Sequence, residues 1–262
     1  MHPELVVGPW SFNTYWAVVH LSFLLVVIYT CYIWIRVEHL PAWKGLVFCV
    51  LLFAAQFLGG CVVPFIYNWS FTGVLPEPFY QPWRTGRYFH SALMGTLLFF
   101  IFYVKSIKRS VPRFLDYFAI GACIMSAVDR IGCFFQGCCG GKATTCFFGV
   151  QFPNHTERIH PTQLYHVFFE GLILLPFLLR LQKKKRFEGE TFWAYFFIYS
   201  VFRFLIEFLR TNPVVWLGLT HAQIFSILMA VVSGAVWRRG ILKSRLKESA
   251  GPAVLKGGSD GV

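Results

Sequence analysis

Arginine is the first residue type to weigh in this chain, because a guanidinium offers a planar fork of donors that fits a phosphate through two bonds. Arg130 stands in Asp129-Arg130-Ile131-Gly132, and Arg203 stands between Tyr199 and Glu207, each within a long apolar stretch. An ionisable group placed where lipid is expected is costly and by default marks a site. Two readings of Asp129-Arg130 stay open: an ion pair that closes a helix end, and an arginine turned to a polar cavity. Neighbouring helical residues point in different directions, which favours the second. Tyr199, Arg203, Glu207 and Arg210 follow helical spacing and share one face. A polar stripe on an apolar helix faces the interior of a bundle. Glu207 reads as well as a tie between helices as it does as part of a site, and one carboxylate does not neutralise both Arg203 and Arg210.

Two histidine motifs accompany the arginines. His90, in Phe89-His90-Ser-Ala-Leu-Met-Gly95, opens another apolar run. An imidazole takes a proton near neutral pH, although a lone histidine serves equally as a packing residue. His160-Pro161-Thr162-Gln163-Leu164-Tyr165 leads into a further run. Proline suits a helix start, Thr162 can cap it, and Glu170 deeper in the run needs a partner. Cationic groups gathered on one side of a membrane, beside lipid, suit a phospholipid headgroup.

Cysteine is the third chemistry. Eight occur. Cys31, Cys49 and Cys123 read as packing residues. Cys133, Cys138, Cys139 and Cys146 fall close together, and three readings compete for them: a disulfide staple, a metal site and a reactive thiol. An oxidising compartment favours a staple. The spacing C-x4-C-C-x6-C is not a standard zinc pattern, so no metal is expected, and the staple is preferred over the reactive thiol.

The elements that must position these residues are membrane helices. Hydrophobic residues make up 56% of the 262, charged residues only 14%, against roughly 25% charged in soluble domains. Thirty Phe and nine Trp suit lipid better than water. Spans of about 20 apolar residues are needed to cross a bilayer. Seven are read, near Tyr15–Arg36, Gly45–Tyr67, Phe89–Val104, Leu115–Phe135, Gln163–Leu181, Thr191–Leu209 and Gly218–Trp237. The fold class expected is therefore an all-α membrane protein.

Charge sets the orientation. Seventeen of the 24 Lys and Arg fall in the loops after the first, third and fifth segments and in the tail. The positive-inside rule puts those on the cytoplasmic side, with the N-terminus outside. The net charge of +12 thus belongs to loops, and no nucleic-acid-binding motif accompanies it. The N-terminus lacks a basic n-region and a small-residue cleavage site, so no removed signal peptide is expected. No internal repeat supports a duplicated transporter. Residues 1–240 read as one polytopic membrane domain, and 241–262 as a disordered cytoplasmic tail.

The motifs, taken in order, resemble the prolipoprotein diacylglyceryl transferases. The resemblance rests on Asp129-Arg130-Ile131-Gly132-Cys133-Phe134-Phe135-Gln136-Gly137, Phe148-Gly149-Val150-Gln151-Phe152-Pro153, Arg158 with His160 to Tyr165, and Tyr199 to Arg210. His90 with Gly95, and Gln223 with Ser226, are similar to further motifs of that family. The likeness runs from about Gly8 through the seventh segment. It implies seven helices in a bacterial cytoplasmic (inner) membrane, with the orientation read from charge. It implies transfer of a diacylglyceryl group from phosphatidylglycerol to the lipobox cysteine of prolipoprotein signal peptides, giving a thioether. Arg130 and Arg203 would bind the lipid phosphate, His90 would assist the incoming thiol, and Tyr199 would line the site. Gln136, Gly141, His160 and Gln163 would contact phosphatidylglycerol, while Glu207, Arg210 and Tyr165 would support the site. No cofactor is implied. The chain departs from the family at Cys133, where Asn is usual, and at Gly137-Cys138-Cys139-Gly140-Gly141, where a Gly-Glu-x-x-Gly pattern is usual. Those departures sustain an alternative, a paralogue turned to thiol-redox or lipid-binding work.

Overall fold

The computed structural model describes residues 4–7, 10–55, 58, 89–153 and 156–249. Among these, seven helices lie where seven segments were predicted. In chain order they are α1 (Thr14–Val37) and α2 (Ala42–Ala55), α3 (Phe89–Ser106), α4 (Val111–Gln136), α5 (Thr162–Lys184), α6 (Glu190–Glu207) and α7 (His221–Ser249). Four of them, α1, α4, α5 and α7, are long and apolar enough by themselves to cross a membrane. Most of the predicted second segment after Ala55, with Cys61, lies outside the described residues.

Among the described residues, three short antiparallel ribbons flank helix ends, a feature the all-α expectation did not include. β1 (Glu4–Val7) pairs with β2 (Trp10–Asn13), β3 (Val150–Gln151) with β4 (Arg158–Ile159), and β5 (Val214–Trp216) with β6 (Leu219–Thr220). They satisfy backbone groups where the chain turns outside the helices.

Local chemistry explains the helix starts. Asn13 closes β2 and caps α1, its side-chain oxygen accepting from the backbone N–H of Tyr15 at 3.0 Å and of Trp16 at 3.4 Å. Thr220 and Gln223 form a reciprocal box at the start of α7. The Thr220 N–H donates to Gln223 Oε1 at 3.0 Å, and the Gln223 N–H donates to Thr220 Oγ1 at 3.3 Å.

α4 is the central helix, packed on α1, α3, α5 and α6, while α6 also packs along α7. One apolar cluster gathers Trp34, Phe48, Phe100, Val104 and Phe114. A second joins Ile120, Cys123, Leu174, Leu178 and Phe192. Outside these, the long helices turn Leu24, Ile28, Leu172, Leu205 and Val231 outward. In α7 only 11% of the apolar window is buried, a surface suited to lipid.

The basic ends of the helices are tied by acids. Asp116, fully buried in α4, accepts from Lys185 Nζ at 2.8 Å and from the N–H groups of Gly189 and Phe192 at 2.9 and 3.0 Å, so it caps α6 from a neighbouring helix. α7 itself runs past residue 240, to Ser249. Lys and Arg are good helix formers and are favoured near a helix C-terminus, and residues 241–249 carry Lys243, Arg245 and Lys247.

Candidate active site

The site is built from α4, α5 and α6. On α4, Gly132 brings α1 close: a Cβ there would lie 3.3 Å from Val18 and 3.4 Å from Tyr15. One turn earlier, Ser22 of α1 donates to Asp129 at 2.5 Å. Asp129 is therefore held across the α1–α4 contact. Arg130, about 100° further round the helix, goes the other way. It stands within electrostatic reach of Tyr199 and Glu170 and interacts with the Tyr199 hydroxyl. The two residues that one sequence reading paired thus take different partners, although Arg130 stays within electrostatic reach of Asp129.

α5 supplies a buried pair. His166 Nδ1 lies 2.7 Å from Glu170 Oε1, and both side chains are fully buried. His166 Nε2 and Glu170 Oε2 lack a hydrogen-bond partner among the described residues. The helix passes through a π-helical stretch at Val167–Leu174, a distortion common at functional sites. Arg130 and Arg203 both lie within electrostatic reach of His166. Sequence reasoning singled out Glu170 and missed His166. The available signal was their i, i+4 spacing, which puts both on one helix face.

The end of α6 carries a polar knot around Glu207, whose side chain is fully buried. Arg203 donates to Glu207. Asn212 Nδ2 and Thr220 Oγ1 donate to it at 2.6 and 2.9 Å, and Arg210 Nε lies 3.6 Å away. One carboxylate thus serves both arginines, with two neutral donors. Since Thr220 also caps α7, the knot ties α6 to α7.

The loop after α4 completes the site. Gly137 ends the helix at φ 72°, its N–H bonded to Phe134 O at 3.1 Å, while the Cys138 N–H bonds to Cys133 O at 3.2 Å. These paired bonds form a Schellman closure. It folds Cys138 back over Cys133. Cys139 then takes φ 63°, the left-handed region that non-glycine residues rarely occupy. The sulfur atoms of Cys133, Cys138 and Cys139 come within 4.8 Å of one another. Cys146, the fourth candidate, is exposed and stands outside this group, and all seven described cysteines are free. The Cys139 thiol is held well below the ordinary thiol range by its hydrogen bonds with Cys133 and Cys138, and further by Arg130 and Arg210.

Other elements clamp this loop. Gln163 donates to Cys138 O, Thr162 to Cys139 O at 2.7 Å, and Arg210 to Cys139 O at 3.1 Å. Gly141 is buried, its N–H bonded to His160 O at 2.8 Å. A Cβ there would meet Leu209 O at 2.4 Å, so only glycine fits. His160 Nδ1 lies 3.2 Å from the Tyr165 hydroxyl.

The fold therefore brings both Arg130 and Arg203 within electrostatic reach of Tyr199, and gathers Gly141, His160, Gln163 and Arg210 around the loop. Gln163 and Gly141 spend donors on the protein's own backbone. Gln136, the last residue of α4, is exposed. His90 falls in the first turn of α3, but its side chain lies outside the described residues.

Long apolar helices around a half-buried cationic cluster define a helical membrane protein with a polar interior site. The whole-chain comparison makes this particular: residues 4–239 match the family model for prolipoprotein diacylglyceryl transferase, and the chain belongs to that family. Three relatives named phosphatidylglycerol–prolipoprotein diacylglyceryl transferase illustrate the likeness. The Geobacter sulfurreducens protein is 33% identical over 58% of this chain and 59% of its own length. One from Clostridium perfringens is 28% identical over 71% and 74%. The Teredinibacter turnerae protein is 30% identical over 77% and 72%. The chain thus spans less than two thirds of the first of these and more than two thirds of the others.

Proposed function

We propose that this protein transfers the diacylglyceryl group of phosphatidylglycerol to the thiol of a lipobox cysteine in prolipoproteins, within the bacterial cytoplasmic membrane. The approach of Arg130 and Arg203, from two helices, to within electrostatic reach of Tyr199 carries the reading. In this scheme the two guanidiniums grip the lipid phosphate. The acceptor thiolate attacks the glyceryl carbon that bears the phosphate ester. A carbon–sulfur bond forms, the carbon–oxygen bond breaks, and glycerol phosphate leaves with its charge held by the arginines. His90 takes the thiol proton, since the thiolate is the nucleophile. Gln136, His160 and Gln163 edge the headgroup region, with Gly141, Tyr165, Glu207 and Arg210 keeping its walls in place.

The proposal includes one polytopic unit over residues 1–240, with seven crossings, the N-terminus outside and the basic loops in the cytoplasm. The names of the relatives and the placement of Lys and Arg support it. The test is transfer from labelled phosphatidylglycerol to a lipobox peptide by the purified protein in micelles. The wild type is expected to form the thioether, and Arg203→Ala to lose about 100- to 1,000-fold in rate, as when a charge-stabilising donor is removed. A well-folded wild type that transfers nothing, with Cys133→Asn restoring the reaction, would favour the redirected paralogue instead.

A further inference from the structure

We propose that Cys133, Cys138 and Cys139 form a three-thiolate site for a thiophilic divalent cation of the Zn2+ type, at the end of α4. The inference stands apart from the transferase reading and does not rest on it. The sequence spacing alone gave no reason to expect such a site. The fold provides it, because the Schellman closure at Gly137 reverses the chain and lays Cys138 over Cys133.

The sulfur atoms lie within 4.8 Å of one another. A tetrahedral zinc site with bonds of about 2.3 Å places its sulfurs about 3.8 Å apart. Side-chain rotation of about an ångström closes that difference, and the backbone need not move. The backbone is in fact fixed. Gln163 and Thr162 at the start of α5, and Arg210 beyond α6, hold the carbonyls of Cys138 and Cys139. This clamp maintains Cys139 at φ 63°, a conformation that surroundings must over-determine to persist. Supporting hydrogen bonds of this kind orient metal ligands.

Charge favours the same ligand. Three thiolates around a divalent ion leave one negative charge. Arg210 reaches Cys139 O at 3.1 Å, and Arg130 stands within electrostatic reach of both Cys133 and Cys139. Soft sulfur donors select Zn2+ over hard cations such as Mg2+ or Ca2+. Cys139 is the exposed member, so a fourth ligand, water or an incoming thiol, can enter from that side.

The test uses the full chain in micelles under reductant, with Co2+ as the spectroscopic probe for a Zn2+ site. One Co2+ per chain is expected, with a sulfur-to-metal charge-transfer band that Zn2+ abolishes. Cys133→Ser and Cys139→Ser should weaken binding by more than the ~10–100-fold that loss of a supporting partner costs. Gln163→Ala should fall within that range, and Cys146→Ser should bind as the wild type does. A second readout needs no variant: bound Zn2+ should shield three thiols of the wild type from alkylation, and chelation should expose them. The proposal is overturned if the reduced wild type binds no Co2+, or if Cys133→Ser binds it unchanged. Acid-trapped protein with Cys133 in a disulfide to Cys138 or Cys139 would also overturn it, in favour of a staple.

Discussion

At the scale of single residues, the site depends on how few acids serve how many cations. Glu207 is buried and answers both Arg203 and Arg210. Removing one member of a buried pair leaves the rest uncompensated, at about 3–5 kcal/mol. Glu207→Gln keeps the shape and removes the charge, so a loss near the lower end, about 3 kcal/mol, is expected. Thermal unfolding in micelles measures it, and an unchanged midpoint would show that Asn212 and Thr220 suffice. Tyr199 differs, since its hydroxyl meets Arg130 and its ring stacks on Tyr195 at 5.7 Å. Tyr199→Phe preserves the ring contact. Its transfer rate should drop about tenfold, the worth of one hydrogen bond of about 1.4 kcal/mol, while its unfolding midpoint holds. Equal loss of both would make Tyr199 a packing residue only.

At the scale of elements, the loop from Gly137 to Lys142 is the part most sensitive to backbone change. It is pinned between the start of α5 and the end of α6, with the Lys142 N–H bonded to Leu209 O at 2.7 Å. Gly141→Ala forces a carbon into that carbonyl. The loop should detach, seen as faster proteolysis at 138–142 and as loss of transfer, with the helices intact by circular dichroism. A variant as protease-resistant as the wild type would mean that the loop can yield. The π-helical stretch of α5 belongs to the same scale, because it carries Glu170 where that side chain meets His166 at 2.7 Å.

For the whole molecule, the open matter is how the bundle sits in its membrane. The proposed orientation has Cys146 outside and the far end of α7 inside. Cys146 is exposed, so with the other cysteines replaced by serine an impermeant maleimide added to intact spheroplasts should label it. A cysteine introduced by Ser249→Cys, in a background whose native cysteines are all replaced by serine, should label only after the membrane is opened. The reverse pattern would invert the topology. In the proposed orientation the acids that bind the basic ends, such as Glu38 with Arg113 at 2.7 Å and Asp116 with Lys185 at 2.8 Å, face the cytoplasm.

Much of this was legible from residues alone. Apolar runs separated by basic loops mark helices, because a bilayer admits little else. Arg130 and Arg203 were conspicuous because charge in such runs is costly. Helical spacing put Tyr199, Arg203, Glu207 and Arg210 on one face before any coordinates. Tertiary structure decided the rest, because partners on different helices leave no local trace. Asp129 turning to Ser22 and Asp116 capping α6 are contacts across 107 and 76 residues. His166 carried only a spacing signal shared with many buried histidines. The cysteines show the division most directly. Their spacing matches no standard zinc pattern, and in sequence Cys146 belongs to the same close group as the others. A turn closed by Gly137 and a loop clamped from two other helices brought three sulfurs together and left the fourth apart. Sequence order constrains such a cluster weakly, since backbone reversal and packing, not spacing, set the distances between side chains.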